Sequence, residues 1–198
     1  KSTAIDLIMG LLKPTEGEIS IDGCKLKNED IRNWQKSISH VPQSVFLSDT
    51  SIEENITFNT NANDAELELL KTVSKQSQLD VFIESLPNKY KTNVGESGAS
   101  LSGGQVQRIG IARALFKRAN ILILDEATSA LDTLTEKKVM EAISKSNKDL
   151  TIIMITHRLS TIKEFDIIYE FKSGVIASKG NYNELLKQSS SFQKITKV

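Results

Sequence analysis

Two short stretches of apolar residues, 121–124 and 152–155, stand out in the hydrophobic pattern of the chain. Each is four residues long and contains no polar position, which is typical of strands buried on both faces of a parallel sheet. The segment between them predicts a helix, because Thr133 and Glu136 have the spacing of a capping box. The apolar stripe of this helix comprises Val139, Met140 and Ile143. A strand, a helix and a second strand form a βαβ unit, so the pattern predicts an α/β fold.

Outside this unit the pattern predicts three further elements. Pro14 and Gly17 end a helix near the start of the chain, and residues 18–22 alternate as a strand does. The apolar positions of that helix are Ile5, Ile8, Met9 and Leu12. Near the other end of the chain, residues 166–171 and 175–179 flank a Lys-Ser-Gly turn and therefore predict a hairpin.

The middle of the chain predicts helices rather than strands. Residues 48–116 are mostly helical in pattern, and residues 79–86 form a short helix that Pro87 ends. One face of this region carries Leu67, Leu70 and Val73. We expect a single domain over residues 1–198, with an α/β core over 1–43 and 117–198 and an inserted, mostly helical subdomain over 44–116.

Composition places the chain among ordinary globular proteins. Of its 198 residues 39% are hydrophobic and 25% are charged, which excludes collagen-like, disordered and disulfide-scaffold classes. The 25 basic and 25 acidic side chains cancel without a basic block, so we expect no extended surface for nucleic acid or anionic lipid. Cys24 is the single cysteine and cannot form an internal disulfide. No apolar run approaches the ~20 residues that cross a bilayer, and the start at Lys1 rather than at Met suggests a cut N-terminus.

Lys1, Ser2 and Thr3 stand at the head of the first predicted helix. A lysine followed by two hydroxyl residues at a helix N-terminus is typical of the end of a phosphate-binding loop. There the backbone N–H groups and the lysine hold phosphate, and the serine holds Mg²⁺. An exposed polar helix start with a Ser/Thr cap has the same sequence, so these three residues alone leave both interpretations open.

Asp125 and Glu126 follow directly after the apolar stretch 121–124. Ligands of α/β folds bind at the carboxyl ends of the strands, which is where these two acids are expected. Asp125 could bind Mg²⁺, and Glu126 could orient or deprotonate an attacking water. The alternative is that Asp125 only caps the segment that follows it.

Residues 101–105, Leu-Ser-Gly-Gly-Gln, precede a helix with an apolar face. That face carries Val106, Ile109 and Ala112. A serine and two glycines at a helix N-terminus form an anion-facing site, because the glycines permit close backbone approach and the serine hydroxyl donates to a phosphate oxygen. From average composition we expect this pentapeptide by chance on the order of once in several thousand chains of this length.

With these segments in place, the chain resembles the nucleotide-binding domain of an ATP-binding cassette (ABC) transporter over essentially its whole length. Lys1-Ser2-Thr3 is similar to the end of the Walker A motif, and Gln43 is similar to the Q-loop glutamine. Residues 101–105 resemble the ABC signature, and Asp125-Glu126 resemble the Walker B aspartate and the catalytic glutamate. Residues 129–132 resemble the D-loop, and His157 resembles the switch histidine. The motifs occur in the order that the family shows.

The resemblance implies a P-loop NTPase (RecA-like) fold with a parallel-sheet core and a helical subdomain that carries the signature. It implies an ATPase that uses ATP and Mg²⁺. The residues implied in catalysis are Glu126, His157 and Gln43. The residues implied in binding the metal are Ser2, Gln43 and Asp125. The residues implied in binding the nucleotide are Lys1, Ser2, Thr3, Ser102, Gly103, Gly104, Gln105 and Asp132.

Within the family, residues 51–56 and 94–98 resemble segments of exporters, and Glu96 fits the exporter X-loop. Ser97 departs from the pattern, because exporters often have Arg there. The resemblance implies the motor domain of an exporter at the cytoplasmic face of the cell membrane. Its partners would be a second nucleotide-binding domain, identical or different and paired head to tail, and a transmembrane domain, with no nucleic acid.

The alternative within the family is a soluble, non-transport ABC ATPase of the DNA-repair or translation type. DNA-repair members have a long coiled coil between the early motifs and the signature, whereas only 57 residues separate Gln43 from Leu101 here, without sustained heptads. Because no phosphate-loop glycines precede Lys1, we expect the isolated chain to be inactive.

Overall fold

The computed structural model describes residues 1–60 and 62–196, which alternate between strands and helices. In chain order the strands are β1 (Ser20–Ile21), β2 (Cys24–Lys25), β3 (Ile38–Val41), β4 (Ile121–Asp125), β5 (Thr151–Ile155), β6 (Ile168–Lys172) and β7 (Val175–Gly180). The helices are α1 (Ser2–Ile8), α2 (Ile31–Lys36), α3 (Ile52–Thr57), α4 (Asp64–Gln76), α5 (Asp80–Ser85), α6 (Gly103–Phe116), α7 (Thr133–Ser146), α8 (Leu159–Ile162), α9 (Tyr182–Gln188) and α10 (Ser190–Thr196). Across these ranges no helix has both the length and the hydrophobicity of a membrane span.

β3, β4 and β5 form a parallel sheet with β4 in the middle. Ile38 of β3 is level with Ile121 of β4, which in turn is level with Thr151 of β5, so the three strands begin together. This sheet confirms the predicted α/β fold with a parallel core. The hydrophobic pattern does not indicate β3, because Ser39 and His40 interrupt its apolar residues.

Helices cover both faces of this sheet. On one face, Ile5 and Met9 of α1 belong to an apolar cluster with Ile38 and Ile123. On the other face, α7 and β4 share a second cluster that contains Val139, Met140, Ile143, Leu122 and Leu124. Each fully buried Ile, Leu, Val or Met side chain contributes about 1.5–3 kcal/mol to folding. The βαβ unit predicted from the hydrophobic pattern is therefore confirmed.

A third cluster of buried apolar residues lies among the helices α3, α4, α5 and α6. Its members include Ile52, Ile56, Leu70, Val73, Leu79, Ile83, Ile109 and Ala112. α6 contributes Ile109 and Ala112 to this cluster and Ile111 and Ala114 to the sheet, because the two pairs lie on opposite sides of the helix. α6 therefore contributes to the core beneath the sheet and to the core among the helices α3, α4 and α5. The division into an α/β core and an inserted subdomain remains a prediction.

The start of α7 differs from the sequence prediction. Asp132 has an extended backbone and precedes the helix as its N-cap, so Thr133 is already the first helical residue. Glu136 is therefore one position too far along the helix to reach back to the cap, and its side chain is buried instead. The predicted capping box of Thr133 and Glu136 is wrong.

Two other elements are shorter than predicted, and one prediction is confirmed. α1 ends at Ile8, before the predicted stop at Pro14, because Gly10 takes a left-handed φ of 67°. Only Ser20–Ile21 of the strand predicted at 18–22 is paired, and its partner is β2. β6 and β7 form the predicted hairpin around a two-residue Ser-Gly turn in which both φ angles are positive, at 49° and 83°.

Candidate functional site

Three polar side chains meet at the carboxyl edge of the parallel sheet. Gln43 follows β3 by two residues, Glu126 directly follows β4, and His157 follows β5 by two residues. The Nε2 atom of His157 lies 2.9 Å from Oε1 of Glu126, and the amide Nε2 of Gln43 donates to Oε2 of Glu126 over 3.1 Å. We call these three residues the Glu126 cluster. The structure brings together the residues that the sequence analysis implies in catalysis, and their catalytic role remains a prediction.

The backbone of Glu126 fixes its carboxylate at this edge. The N–H of Glu126 donates to the carbonyl of Ile155 over 3.0 Å, which extends the pairing of β4 with β5 by one step. The φ of Glu126 is 50°, in the left-handed region, where a residue other than glycine carries a strain of about 1–3 kcal/mol. Strained residues of this kind cluster at active sites and ligand sites. The side chain of Glu126 is 25% exposed, so a ligand at the edge can reach it.

α1 runs antiparallel to the strands of the parallel sheet, so its first residues lie at the carboxyl edge of that sheet. The indole N–H of Trp34, in α2, donates to the carbonyl of Ile8 over 2.6 Å, which puts the end of α1 beside the start of β3. Burial lowers the pKa of His40, near the end of β3, and the nearby carboxylates of Asp125 and Asp6 oppose that shift. Earlier residues of α1 therefore lie nearer the end of β3. The exposed residues at the head of α1 are Lys1, Ser2 and Thr3.

The expected metal ligands are a hydroxyl, an amide and a carboxylate, from Ser2, Gln43 and Asp125. Within residues 1–60 and 62–196, no three His, Cys, Asp or Glu side chains come together as a site that could hold a metal ion. Mg²⁺ is typically bound by one or two carboxylates together with waters and phosphates, so it needs no such cluster. Since Gln43 donates through its amide nitrogen, its carbonyl oxygen can face a cation. The donor set fits Mg²⁺ held jointly with a phosphate.

The predicted phosphate-binding residues 102–105 form a separate group at the start of α6. Oγ of Ser102 accepts the N–H of Gln105 over 3.3 Å, and Oε1 of Gln105 accepts the N–H of Ser102 over 2.7 Å. Gly103 and Gly104 follow the cap and open the helix. A Cβ atom at Gly104 would lie 3.1 Å from the carbonyl oxygen of Ala130, so the glycine lets α6 approach the loop 129–132. The hydrogen bonds of these residues join them to one another and, through the carbonyl of Gly104, to Nε of Arg108 at 3.2 Å, rather than to the Glu126 cluster.

Asp132 lies in the same loop and is the N-cap residue of α7. Its carboxylate accepts the N–H groups of Leu134 and Thr135 over 3.1 and 2.9 Å and so caps α7. Hydrogen bonds from Thr135 hold the pKa of Asp132 below its ordinary value. The nucleotide contact that the resemblance implies for Asp132 stays a prediction.

Sequence reasoning misses three buried or half-buried polar residues beside the cluster: Gln107, Glu136 and Arg158. Nη1 of Arg158 donates to Oε2 of Glu136 over 2.9 Å, although the two residues are 22 positions apart. Arg158 follows His157 directly, which is the only signal in the sequence that connects it with the site. Gln107 and Glu136 lie inside amphipathic helices, where a polar residue is usually solvated.

The fold and this edge together define a class of protein. Polar residues follow adjacent strands of a parallel sheet, and the N-terminus of α1 lies at the same edge. In α/β domains this arrangement binds phosphate-bearing ligands, because ligands sit at the carboxyl ends of the strands and helix N-termini attract anions. The chain is a nucleotide-binding domain of the P-loop type.

Comparison with known sequences identifies the family. The sequence model of the family described as ABC transporter matches residues 1–129. ABC transporter B family member 14 of Arabidopsis thaliana is 43% identical over 194 residues, which are 98% of this chain and 15% of that protein. ATP-binding cassette sub-family B member 5 of Homo sapiens is 40% identical over 195 residues, which are 98% of this chain and 16% of that protein. The chain belongs to the ABC transporter family.

A bacterial relative and a solved structure agree with this assignment. Heterocyst differentiation ATP-binding protein HepA of Nostoc is 43% identical over 189 residues, 95% of this chain and 31% of that protein. The structure of a bacterial Atm1-family ABC exporter with ATP bound superposes with a TM-score of 0.92 at 36% identity, over 100% of this chain and 34% of that chain. The chain thus spans 15–31% of the length of these curated relatives. The similarities confirm the predicted nucleotide-binding domain of the exporter type.

Proposed function

We propose that the chain is the ATP-binding and hydrolysing motor domain of an ABC exporter. It pairs head to tail with a second nucleotide-binding domain and couples this ATP-driven pairing to transport through a transmembrane domain, at the cytoplasmic face of the cell membrane. The observation that carries the proposal is Glu126, which Gln43 and His157 hold at the edge of the sheet.

Glu126 is suited to act on the water that attacks ATP. A carboxylate has about four lone-pair sites, and Gln43 and His157 each occupy one site on a different oxygen. Glu126 can therefore accept a water proton while both neighbours remain bound. The imidazole of His157 is 69% exposed, so its ring also reaches the space where a γ-phosphate would lie.

The phosphates of ATP would be held from both sides. Lys1 and the first N–H groups of α1 would supply positive charge for the phosphates. Mg²⁺, held by Ser2, Gln43 and Asp125, would neutralise phosphate charge when bound. Ser102 of the second domain would approach from the opposite side. Because Oγ of Ser102 accepts its intrahelical bond, its own O–H can still donate to a phosphate oxygen.

The test is the steady-state ATPase activity of the intact transporter that carries these residues. Glu126→Gln keeps the size of the side chain and removes the base, so turnover falls by about 10²–10⁴-fold. ATP affinity stays within about threefold, because Glu126 acts on the water. The matched control is Glu141→Gln, on α7, whose carboxylate pairs only with Lys145 and Lys137 among the described contacts. An unchanged ATPase rate in Glu126→Gln would remove Glu126 from its role.

A second measurement concerns the chain by itself. In P-loop proteins the backbone N–H groups of glycines ahead of the lysine cradle phosphate. The 198-residue stretch starts at Lys1 and does not include that part of the loop. We expect weak or no ATP binding by this stretch alone in an equilibrium titration. Micromolar affinity would contradict that expectation and leave the proposed function intact.

A further inference from the structure

Glu136 is a buried carboxylate with three donors from two different parts of the chain. Its residue exposure is 1%, so its charge is almost fully removed from water. Oε1 accepts the hydroxyls of Thr128 and Thr161 over 2.7 and 2.9 Å, and Oε2 accepts Nη1 of Arg158 over 2.9 Å. The carboxylate of Glu136, near the start of α7, therefore binds both the loop after β4 and the segment after β5.

Arg158 carries this connection onward to the loop 129–132. Its second guanidinium nitrogen, Nη2, donates to the carbonyl of Ser129 over 2.8 Å. The backbone N–H of Arg158 donates to Oγ1 of Thr156 over 2.9 Å, which closes a tight turn around His157. His157, which contacts Glu126, thus lies between two residues that are hydrogen-bonded to each other, one of which is anchored to Glu136 and Ser129.

Gln107 holds the same loop from the other side. It is buried and lies on α6, five residues after Ser102. Its Nε2 donates to Oγ of Ser129 over 2.9 Å, and its Oε1 accepts the N–H of Ala130 over 2.8 Å. Both ends of one amide are used, so the distance between α6 and this loop is fixed.

We propose that Glu136, Arg158 and Gln107 are positioning residues that set the geometry of His157 and of residues 102–105 through the loop 129–132. The inference rests on the proposed function, in which His157 serves one ATP and residues 102–105 serve the ATP of the paired domain. A buried ion pair adds little net stability compared with an apolar pair of similar size, so stability alone does not account for Glu136 and Arg158. A bidentate guanidinium, in contrast, fixes two acceptors at a set spacing.

The first test is Glu136→Gln in the intact transporter. None of the three residues is itself implied in nucleotide binding, and none bonds directly to residues 102–105 in the described contacts, so we expect the KM for ATP to stay within about threefold. A displacement of about 1 Å in a reacting group costs on the order of 10²-fold in rate, and we expect kcat to fall by about 10–100-fold. Glu141→Gln, on the same helix, is the control and keeps the wild-type kcat.

The second test uses a variant that keeps the buried charges paired. Arg158→Lys retains a cation beside Glu136, but its single flexible ammonium lacks the planar fork that holds Glu136 and the carbonyl of Ser129 at a set spacing. We expect a melting temperature close to wild type together with a kcat lowered by about tenfold or more. A wild-type kcat in Arg158→Lys would overturn the inference, because the role of Arg158 would then be structural.

The two proposals fail in different ways. If Glu126→Gln abolishes hydrolysis and Arg158→Lys leaves kcat unchanged, the positioning inference is wrong and the proposed function stands. If Glu126→Gln itself leaves hydrolysis unchanged, the proposed function is wrong. A kcat that falls in Arg158→Lys and in Glu136→Gln but not in Glu141→Gln supports both proposals.

Discussion

The imidazole of His157 lies 2.9 Å from the carboxylate of Glu126, although the two residues are 31 positions apart in the sequence. Both residues follow strands of one parallel sheet, and the register of β4 with β5 brings the two strand ends level. This contact makes His157 a direct partner of Glu126. We expect it to hold the carboxylate in the direction from which it acts on water.

The first prediction concerns this contact. His157→Ala removes the donor to Oε1 of Glu126 and leaves the bond from Gln43 in place. We expect the kcat of the intact transporter to fall by about 10²-fold, since a misdirected base loses most of its contribution. Steady-state ATPase measurements and an ATP titration of the same preparation check it. A kcat within twofold of wild type, roughly the error of such assays, would contradict the assignment.

The second prediction is a pH dependence at the head of α7. Hydrogen bonds from Thr135 lower the pKa of Asp132 in the folded chain. A carboxyl with a lowered folded pKa contributes stability above its unfolded pKa and loses it as the pH falls through the folded pKa. Asp132→Ala should therefore lower the urea midpoint at pH 7 but have almost no effect at a pH below the folded pKa. Asp149→Ala, in the exposed loop after α7, is the control, and an Asp132→Ala effect that does not change with pH would refute the cause.

The third prediction concerns Asn55, which joins α3 to the segment after Gln43. Asn55 is 2% exposed, and its amide donates to the carbonyls of Ser48 and Ser51 and accepts the N–H of Ser48. Arg113 of α6 donates to its backbone carbonyl over 2.7 Å. Asn55→Ala leaves several buried groups unpaired and should reduce the free energy of unfolding by about 2–3 kcal/mol.

Urea unfolding of the 198-residue chain measures the Asn55→Ala effect. Asn183→Ala serves as the control, because Asn183 is an exposed residue of α9 and its removal should change stability by no more than about 0.5 kcal/mol. Equal effects of the two substitutions would show that the buried bonds of Asn55 add nothing to stability.

The fourth prediction concerns the packing of α6 against the segment after β3. A Cβ atom at Gly110 would lie 2.6 Å from Cγ2 of Val45 and 3.3 Å from Cγ1 of Val41. Gly110→Ala gains about 1 kcal/mol of helix propensity, but the overpacking costs about 1–3 kcal/mol. We expect a net loss of stability in thermal unfolding.

The control for Gly110→Ala is the double variant with Val45→Ala, which removes the clashing methyl groups. In that background Gly110→Ala should cost much less stability or none, because the 2.6 Å contact with Val45 is gone and only the 3.3 Å contact with Cγ1 of Val41 opposes the gain in helix propensity. The same loss in both backgrounds would mean that the contact with Val45 does not limit the residue at position 110.

The elements that could be predicted from sequence are those with a local signal. Residues 121–124 and 152–155 are apolar without interruption, so β4 and β5 follow from the sequence, and with them the strand ends that carry Glu126 and His157. β3 has two polar residues among four, the buried Ser39 and the exposed His40, so its hydrophobic pattern does not indicate a strand. Its strand character comes from pairing with β4, and a single sequence contains no record of that pairing.

The site could be predicted only in part, for a related reason. The meeting of Gln43, Glu126 and His157 follows once three parallel strands are known, because strand ends share an edge. The bonds of Glu136 depend on how α7 and the loop after β5 pack, and these are tertiary contacts without a local pattern. A carboxylate near a helix start normally indicates a capping role, and here burial overrides it.

The helix α6 has no side that is free of a core, since Ile109 and Ala112 face one cluster while Ile111 and Ala114 face the other. Such a helix cannot bend or slide alone without opening a void in one layer or the other. The Ser102 end of α6 must therefore move as a rigid unit, together with the helices α3, α4 and α5 that pack against α6. We expect any displacement of those helices to reach residues 102–105 as a rotation of α6 as a whole, with little local deformation.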